Sequence, residues 1–229
     1  MALFGISDIH LSLSSEKPMD IFEGWSDYVD RLRINWEKRV SENDIVVLPG
    51  DISWAMSLSD TKSDFSFIER LPGKKIISKG NHDYWWVTVR KIERWFEENN
   101  FLSISVMHNK SYMYNDIAIS GTRGWVLEED DSESMKIYMR EVGRLRLSLE
   151  DAKKRNPREI IAFMHYPPVC RNYKQVEIID VFKEFGINRC FYGHIHGKNA
   201  EYSINGNVDG IYYKLISADH IGFSPYFIN

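Results

Sequence analysis

Five short clusters in the 229-residue chain carry residue types that hold metals or move protons: Asp8-Ile9-His10, Gly50-Asp51, Gly80-Asn81-His82-Asp83, Met164-His165-Tyr166 and Gly193-His194-Ile195-His196-Gly197. Each follows an apolar run, as Ile76-Ile77-Ser78 precedes the third. That grammar puts ligands in loops at strand ends, where the sheet fixes the backbone and the loop frees the side chains. One Asn-His-Asp triplet alone is more often a helix cap. Five clusters of one kind point instead to a shared site. Together they offer Asp8, His10, Asp51, Asn81, His165, His194 and His196, a mixture of carboxylate, imidazole and one amide oxygen with no thiolate. Such a set suits manganese, iron or zinc better than an all-oxygen cage or a cysteine-rich structural zinc. Seven ligands exceed one tetrahedral ion. They match two ions that share a ligand, a task for which a carboxylate has two suitably arranged oxygens.

In this order the clusters resemble the signature of the calcineurin-like metallophosphoesterases: Asp-x-His, Gly-Asp, Gly-Asn-His-Asp or Glu, a lone His, and Gly-His-x-His. The match runs from residue 8 to residue 196 with no element missing. The resemblance implies that Asp8, His10 and His196 hold a first ion, that Asn81, His165 and His194 hold a second, and that Asp51 bridges them. It also implies that His82 is the acid that protonates the leaving oxygen, oriented by Asp83 or by a nearby backbone group. The catalytic set is thus His82, Asp51 and Asp83, with Asn81 and His82 also facing substrate.

Charge arithmetic leads to the same chemistry. Two divalent ions set against Asp8, Asp51 and a bridging hydroxide leave a net positive site, which attracts phosphate. Two ions about 3.5–4 Å apart polarise a phosphoryl oxygen and stabilise an in-line displacement. The expected reaction is hydrolysis of a phosphodiester or phosphomonoester by in-line attack of a metal-bridging hydroxide, on a small-molecule substrate. A nuclease acting on DNA or RNA is the alternative, and a non-catalytic scaffold on the same fold is the reading from outside enzymology.

The elements that must position these residues alternate. Strands are expected at 2–7, 44–48, 74–78, 159–164 and 189–192, and helices at 21–40, 57–70, 84–99, 133–155 and 175–185. This rhythm indicates an α/β fold. The resemblance implies a two-sheet β-sandwich flanked by helices, in four α/β/β/α layers. Short β-like runs at 102–107, 111–114 and 117–120 lack intervening helices and suggest hairpins or an antiparallel part of the sheet, and a closing hairpin is expected around Asn205-Gly206-Asn207. The acidic run Glu128-Glu129-Asp130-Asp131 leads into the charged helix, read as solvated with an acidic start that suits the macrodipole. A single domain over 1–229 is expected, with substrate selectivity left to the loops 53–60, 121–134 and 167–174.

Composition fits that picture. Apolar residues make up 43% and charged residues 27%, and the net charge of −4 argues against a protein that coats nucleic acid. Cys170 and Cys190 have no disulfide-framework spacing and are expected reduced and buried. With no secretory signal pattern and no apolar run near the roughly 18 residues of a membrane span, a cytoplasmic location without membrane contact is expected. Oligomeric state is not encoded in any of these patterns. Arg123, flanked by Gly121 and Gly124, is a candidate phosphate clamp, with a surface arginine as the plain reading. Trp54, Trp85 and Trp86 adjoin the clusters and either pack or wall the pocket. His108 and His220 match no motif position and are read as structural.

Overall fold

The computed structural model describes residues 1–126 and 131–229. The chain divides into two compact units, Met1–Val106 with Ile216–Asn229, and Met107–Leu215. Each is a mixed sheet with its own helices, giving the α/β class and the two sheets that were expected.

The first unit contains strands β1 (Leu3–Gly5), β2 (Ile45–Pro49), β3 (Lys74–Ser78) and β4 (Ile104–Val106), with helices α1 (Tyr28–Arg39), α2 (Lys62–Arg70) and α3 (Val89–Glu98) between them. β1 to β4 lie side by side in parallel. The wholly buried β1 and β2 are the continuous apolar runs that parallel strands require. β4 was expected in a hairpin. It is parallel to β3 instead, because α3 supplies the crossover that a parallel pair needs.

Helices α1 and α3 are shorter than the expected 21–40 and 84–99. Gly24 and Asp27, both with left-handed φ (84° and 52°), stop α1 from extending backwards, since neither conformation continues a right-handed helix. Trp25, Tyr28, Leu32 and Trp36 do form the buried face, but Phe22 is exposed. Ahead of α3, Thr88 is extended and residues 84–88 stay out of the helix. There the Trp85 indole is drawn into the core, its N–H donating to Asp83 at 3.0 Å.

The second unit contains β5 (Tyr112–Tyr114), β6 (Ile117–Thr122), α4 (Ser132–Lys153), β7 (Glu159–Met164), a small hairpin of β8 (Val169–Cys170) and β9 (Tyr173–Lys174), α5 (Val176–Phe185), β10 (Arg189–Tyr192), β11 (Gly206–Val208) and β12 (Ile211–Leu215). Its sheet runs β11-β12-β10-β7-β6-β5, parallel in the centre and closed by antiparallel edges. The chain then returns to the first unit, where β13 (Tyr226–Phe227) pairs antiparallel with β1.

Two expectations need correction. The last hairpin turns at Asp209-Gly210, whose φ values of 52° and 83° give the double left-handed geometry of a type I′ turn; Asn205-Gly206-Asn207 lies at the start of β11. Helix α4 is amphipathic rather than solvated all round, burying Tyr138, Val142, Leu145, Leu149 and the carboxylate of Glu141. Of the acidic run, Glu128, Glu129 and Asp130 lie outside the described residues, while Asp131 caps α4 by accepting the Glu133 amide at 2.8 Å. The two cysteines are free and buried, as expected. Among the described residues no helix is long and apolar enough to cross a membrane.

Lys75 is a buried cation on β3, its ammonium donating to the Leu71 carbonyl and to Ser103 Oγ at 3.0 Å. Burial lowers its pKa to about 8, against the pull of Glu69 and Glu42. The folded state therefore holds this proton less tightly than the unfolded chain, so burying the charge costs stability below pH 8 and the cost is relieved as pH rises from 8 towards 10.5. In denaturant unfolding, the wild type should gain stability relative to Lys75→Met across that window. A difference that does not change with pH would contradict this.

Candidate metal centre

In the first unit the site begins where β1 and β2 end and their chains keep running together. The amides of Asp8, His10 and Leu11 donate to the carbonyls of Gly50, Asp51 and Ile52 at 3.1, 3.0 and 2.9 Å. Ile6, Ile9, Leu11 and Ile52 are buried in the core, and their burial anchors the intervening polar residues. Asp8, His10 and Asp51 all have left-handed φ (58°, 44° and 53°). For non-glycine residues this conformation is uncommon and costs about 1–3 kcal/mol each, and it persists where the surroundings over-determine it, chiefly at functional sites. The result is a buried trio. A ligand atom of Asp8 lies within 4.8 Å of one from His10 and of one from Asp51, and His10 Nε2 stands 3.7 Å from Asp51 Oδ2. Ser217 donates to Asp8 Oδ2 at 3.0 Å, and the Tyr28 hydroxyl donates to the His10 carbonyl at 3.0 Å.

The loop after β3 locks onto this trio through Asp83. Its carboxylate, fully buried, accepts the backbone N–H groups of Asp51 (2.9 Å), Ile52 (2.9 Å), Ser53 (3.3 Å) and Gly80 (2.8 Å) and the indole N–H of Trp85. Burial pushes its carboxyl above the usual range, while the N–H donors of Gly80, Ile52, Ser53 and Trp85 pull the other way. Five N–H donors suit an ionised carboxylate, which only accepts. Asp51 in turn accepts the His82 amide through Oδ1 at 2.8 Å. Gly80 is required by space: a Cβ there would stand 2.1 Å from Asp51 Oδ1.

The Asp83 carboxylate organises backbone, and the Tyr84 hydroxyl lies 3.2 Å from Nδ1 of the His82 ring. Sequence reasoning missed Tyr84, which no motif position marks. Trp54 faces the cluster, its ring stacked 5.0 Å from that of His10 and 4.4 Å from that of His82. Trp85 packs in the core against Phe65, and Trp86 packs on Trp85. His82 and Asn81 are half-buried, and His220 is exposed.

In the second unit, His165 follows β7 directly and is fully buried, its carbonyl accepting the Gly193 amide at 3.1 Å. The His165 and His194 rings lie 5.2 Å apart, and the His194 ring lies 4.2 Å from that of Tyr166. β10 stops at Tyr192 and His194 is left-handed (φ 72°), so the backbone turn rather than the strand pleat directs the His194 and His196 side chains. Arg123 is accounted for within this unit: its guanidinium lies 4.9 Å over the Trp125 ring and 3.9 Å from the buried Glu141, which also receives Thr122 and Arg144. His108 is half-buried.

Removing the Asp83 carboxylate strands five buried N–H donors, each worth about 1–3 kcal/mol when left unsatisfied. Asp83→Ala should therefore lower the thermal unfolding midpoint well below that of Asp51→Asn, which keeps an oxygen for the His82 amide. Equal midpoints for the two variants would contradict the organising role of Asp83.

The match to known proteins follows this geometry. The family model for calcineurin-like phosphoesterases matches residues 1–198. A protein of unknown function from Aquifex aeolicus is similar in structure, with a TM-score of 0.51, 16% identity, and coverage of 99% of this chain and 95% of its own. A Thermus thermophilus protein, TT1561, gives a TM-score of 0.55 at 12% identity over 86% and 82%. Phosphopantetheinyl hydrolase from Mycobacterium tuberculosis gives 0.50 at 13% identity over 94% and 88%. At these identities the likeness is one of fold. Comparison with curated proteins gives no significant match. With the signature matched over most of its length, the chain belongs to the calcineurin-like phosphoesterase family of metal-dependent phosphohydrolases.

Proposed function

We propose that the chain hydrolyses a phosphoester of a small molecule with two divalent ions, and that Asp8, His10, Asp51, Asn81, His165, His194 and His196 are their ligands. The observation that carries this reading is the buried trio of Asp8, His10 and Asp51, held by left-handed backbone within reach of one another. Two carboxylates buried that close call for positive charge, because an uncompensated buried carboxylate is costly. A set of two carboxylate groups and an imidazole fits manganese, iron or zinc. Likeness to the family signature makes Asp51 the ligand shared between the two ions, a task for which a carboxylate has two oxygens.

The ions, when bound, supply Lewis acidity towards a phosphoryl oxygen and an activated water. The chain's own residues do the rest. Asp51 orients the loop that carries His82, Tyr84 stands against Nδ1 of the ring, and the His82 imidazole gives a proton to the departing oxygen. A net charge of −4 favours a small phosphorylated substrate over a nucleic acid. A cytoplasmic location accords with the free, buried cysteines.

Metal-stripped protein should regain hydrolysis of chromogenic phosphomonoester or phosphodiester substrates when resupplied with manganese, iron or zinc. Asp51→Asn should abolish that activity, and His82→Ala should lower kcat by about 10²–10⁴-fold. The ratio of diester to monoester turnover assigns the bond type. Turnover that survives in Asp51→Asn, or that does not respond to metal, would overturn the reading.

A further inference from the structure

The loop between β1 and α1 is fastened to the segment after β2 at three points. The Leu13 amide donates to Asp64 at 2.8 Å, Ser14 donates to the Asp60 carbonyl, and the Trp54 indole N–H points at Met19 Sδ at 3.2 Å. Asp64 is itself fixed, fully buried and bonded to Ser53, with burial raising its pKa. This fastening holds Lys17 with its ammonium 4.1 Å over the Trp54 ring. A cation so placed keeps most of its attraction for an anion, because an aromatic face supplies only a quadrupole.

Trp54 also contacts both His10 and His82. Lys17 is therefore one ring away from the residue proposed to protonate the leaving oxygen. Tyr84, more than half exposed, closes the other side of the His82 ring at 5.9 Å between ring centres. The Trp54 and Tyr84 rings, 6.5 Å apart, flank the His82 ring, and Lys17 lies against the first of them, so these are the groups nearest to an oxygen that His82 protonates.

From this geometry we propose that Lys17, mounted on Trp54, is a specificity-determining residue that selects phosphoesters whose leaving group carries its own negative charge, a carboxylate or a second phosphate. This rests on the role given to His82 above. The aromatic pair receives the organic part of the leaving group and Lys17 its anion. The scissile bond is hydrolysed as before, with no further reactant.

The test uses metal-loaded protein and two substrates of one skeleton, phenyl phosphate and 4-carboxyphenyl phosphate, with KM and kcat from turnover and Kd from calorimetry. Wild type should prefer the carboxylated substrate, by about 2–5-fold in KM, the scale of one exposed ion pair. Lys17→Met should remove that preference and leave kcat and the KM for phenyl phosphate unchanged, and Lys17→Arg should restore it. A phosphorylated leaving group, glycerol 1,3-bisphosphate against glycerol 1-phosphate, tests the second phosphate by itself and so separates carboxylate from phosphate selectivity. Turnover whose preference does not depend on Lys17 overturns this inference and leaves the hydrolytic reading standing. Lys17-dependent binding without turnover supports the subsite and overturns the hydrolytic reading. Neither binding nor turnover overturns both.

Discussion

The first unit turns on one buried carboxylate. Asp83 gathers the amides that follow β2 and the amide of Gly80 after β3, so two neighbouring loops share a single acceptor. Because hydrogen bonds to an ionised group are about twice as strong as neutral ones, this joint fixes the backbone at Asp51 in a conformation it would otherwise avoid. Asp51 then passes the constraint on, to His82 through its amide and to the strand-end segment carrying Asp8 and His10 through its carbonyl. The close approach at Gly80 belongs to the same joint, since any side chain there would displace the Asp51 carboxylate.

The second unit reaches a comparable outcome by other means. Its parallel strands β6, β7 and β10 bring Arg123, His165 and His194 to the same end of the sheet, and the carbonyls of Arg123 and His165 receive the amides of Tyr166 and Gly193. Gly121 lets β6 approach β7 closely, a Cβ there standing 1.8 Å from the Phe163 carbonyl. The buried Glu141 of α4 ties that helix to β6 through Thr122 and keeps Arg123 beside it. In both units a ligand-type residue is left-handed just past a strand, which trades backbone comfort for side-chain direction.

Much of this was legible in the sequence. The buried strands announce themselves as short apolar runs, and all five clusters follow them because a polar residue cannot continue a doubly buried strand. What the sequence hid were features set by tertiary contact. Trp85 looks like the second residue of a helix, but its indole is taken by Asp83 and the helix begins at Val89 rather than Tyr84. Gly24 and Asp27 adopt left-handed backbone, which no periodicity count reports. The strand β4 reads as a hairpin partner until α3 is seen as its crossover. The role of Asp83 was hidden for a related reason. In sequence it is one of several acids in a chemical motif, and only its amide partners show that it builds the backbone frame.

The central claim is that these strand-end residues hold two metal ions with Asp51 shared between them. The most direct measurement is elemental analysis of metal per chain after exhaustive dialysis of manganese-loaded or zinc-loaded protein, wild type against Asp51→Asn. The account predicts two equivalents in the wild type and a loss of at least one in the variant, with the far-ultraviolet circular dichroism unchanged. A wild type that retains no metal, or an Asp51→Asn variant that keeps both equivalents, would contradict it.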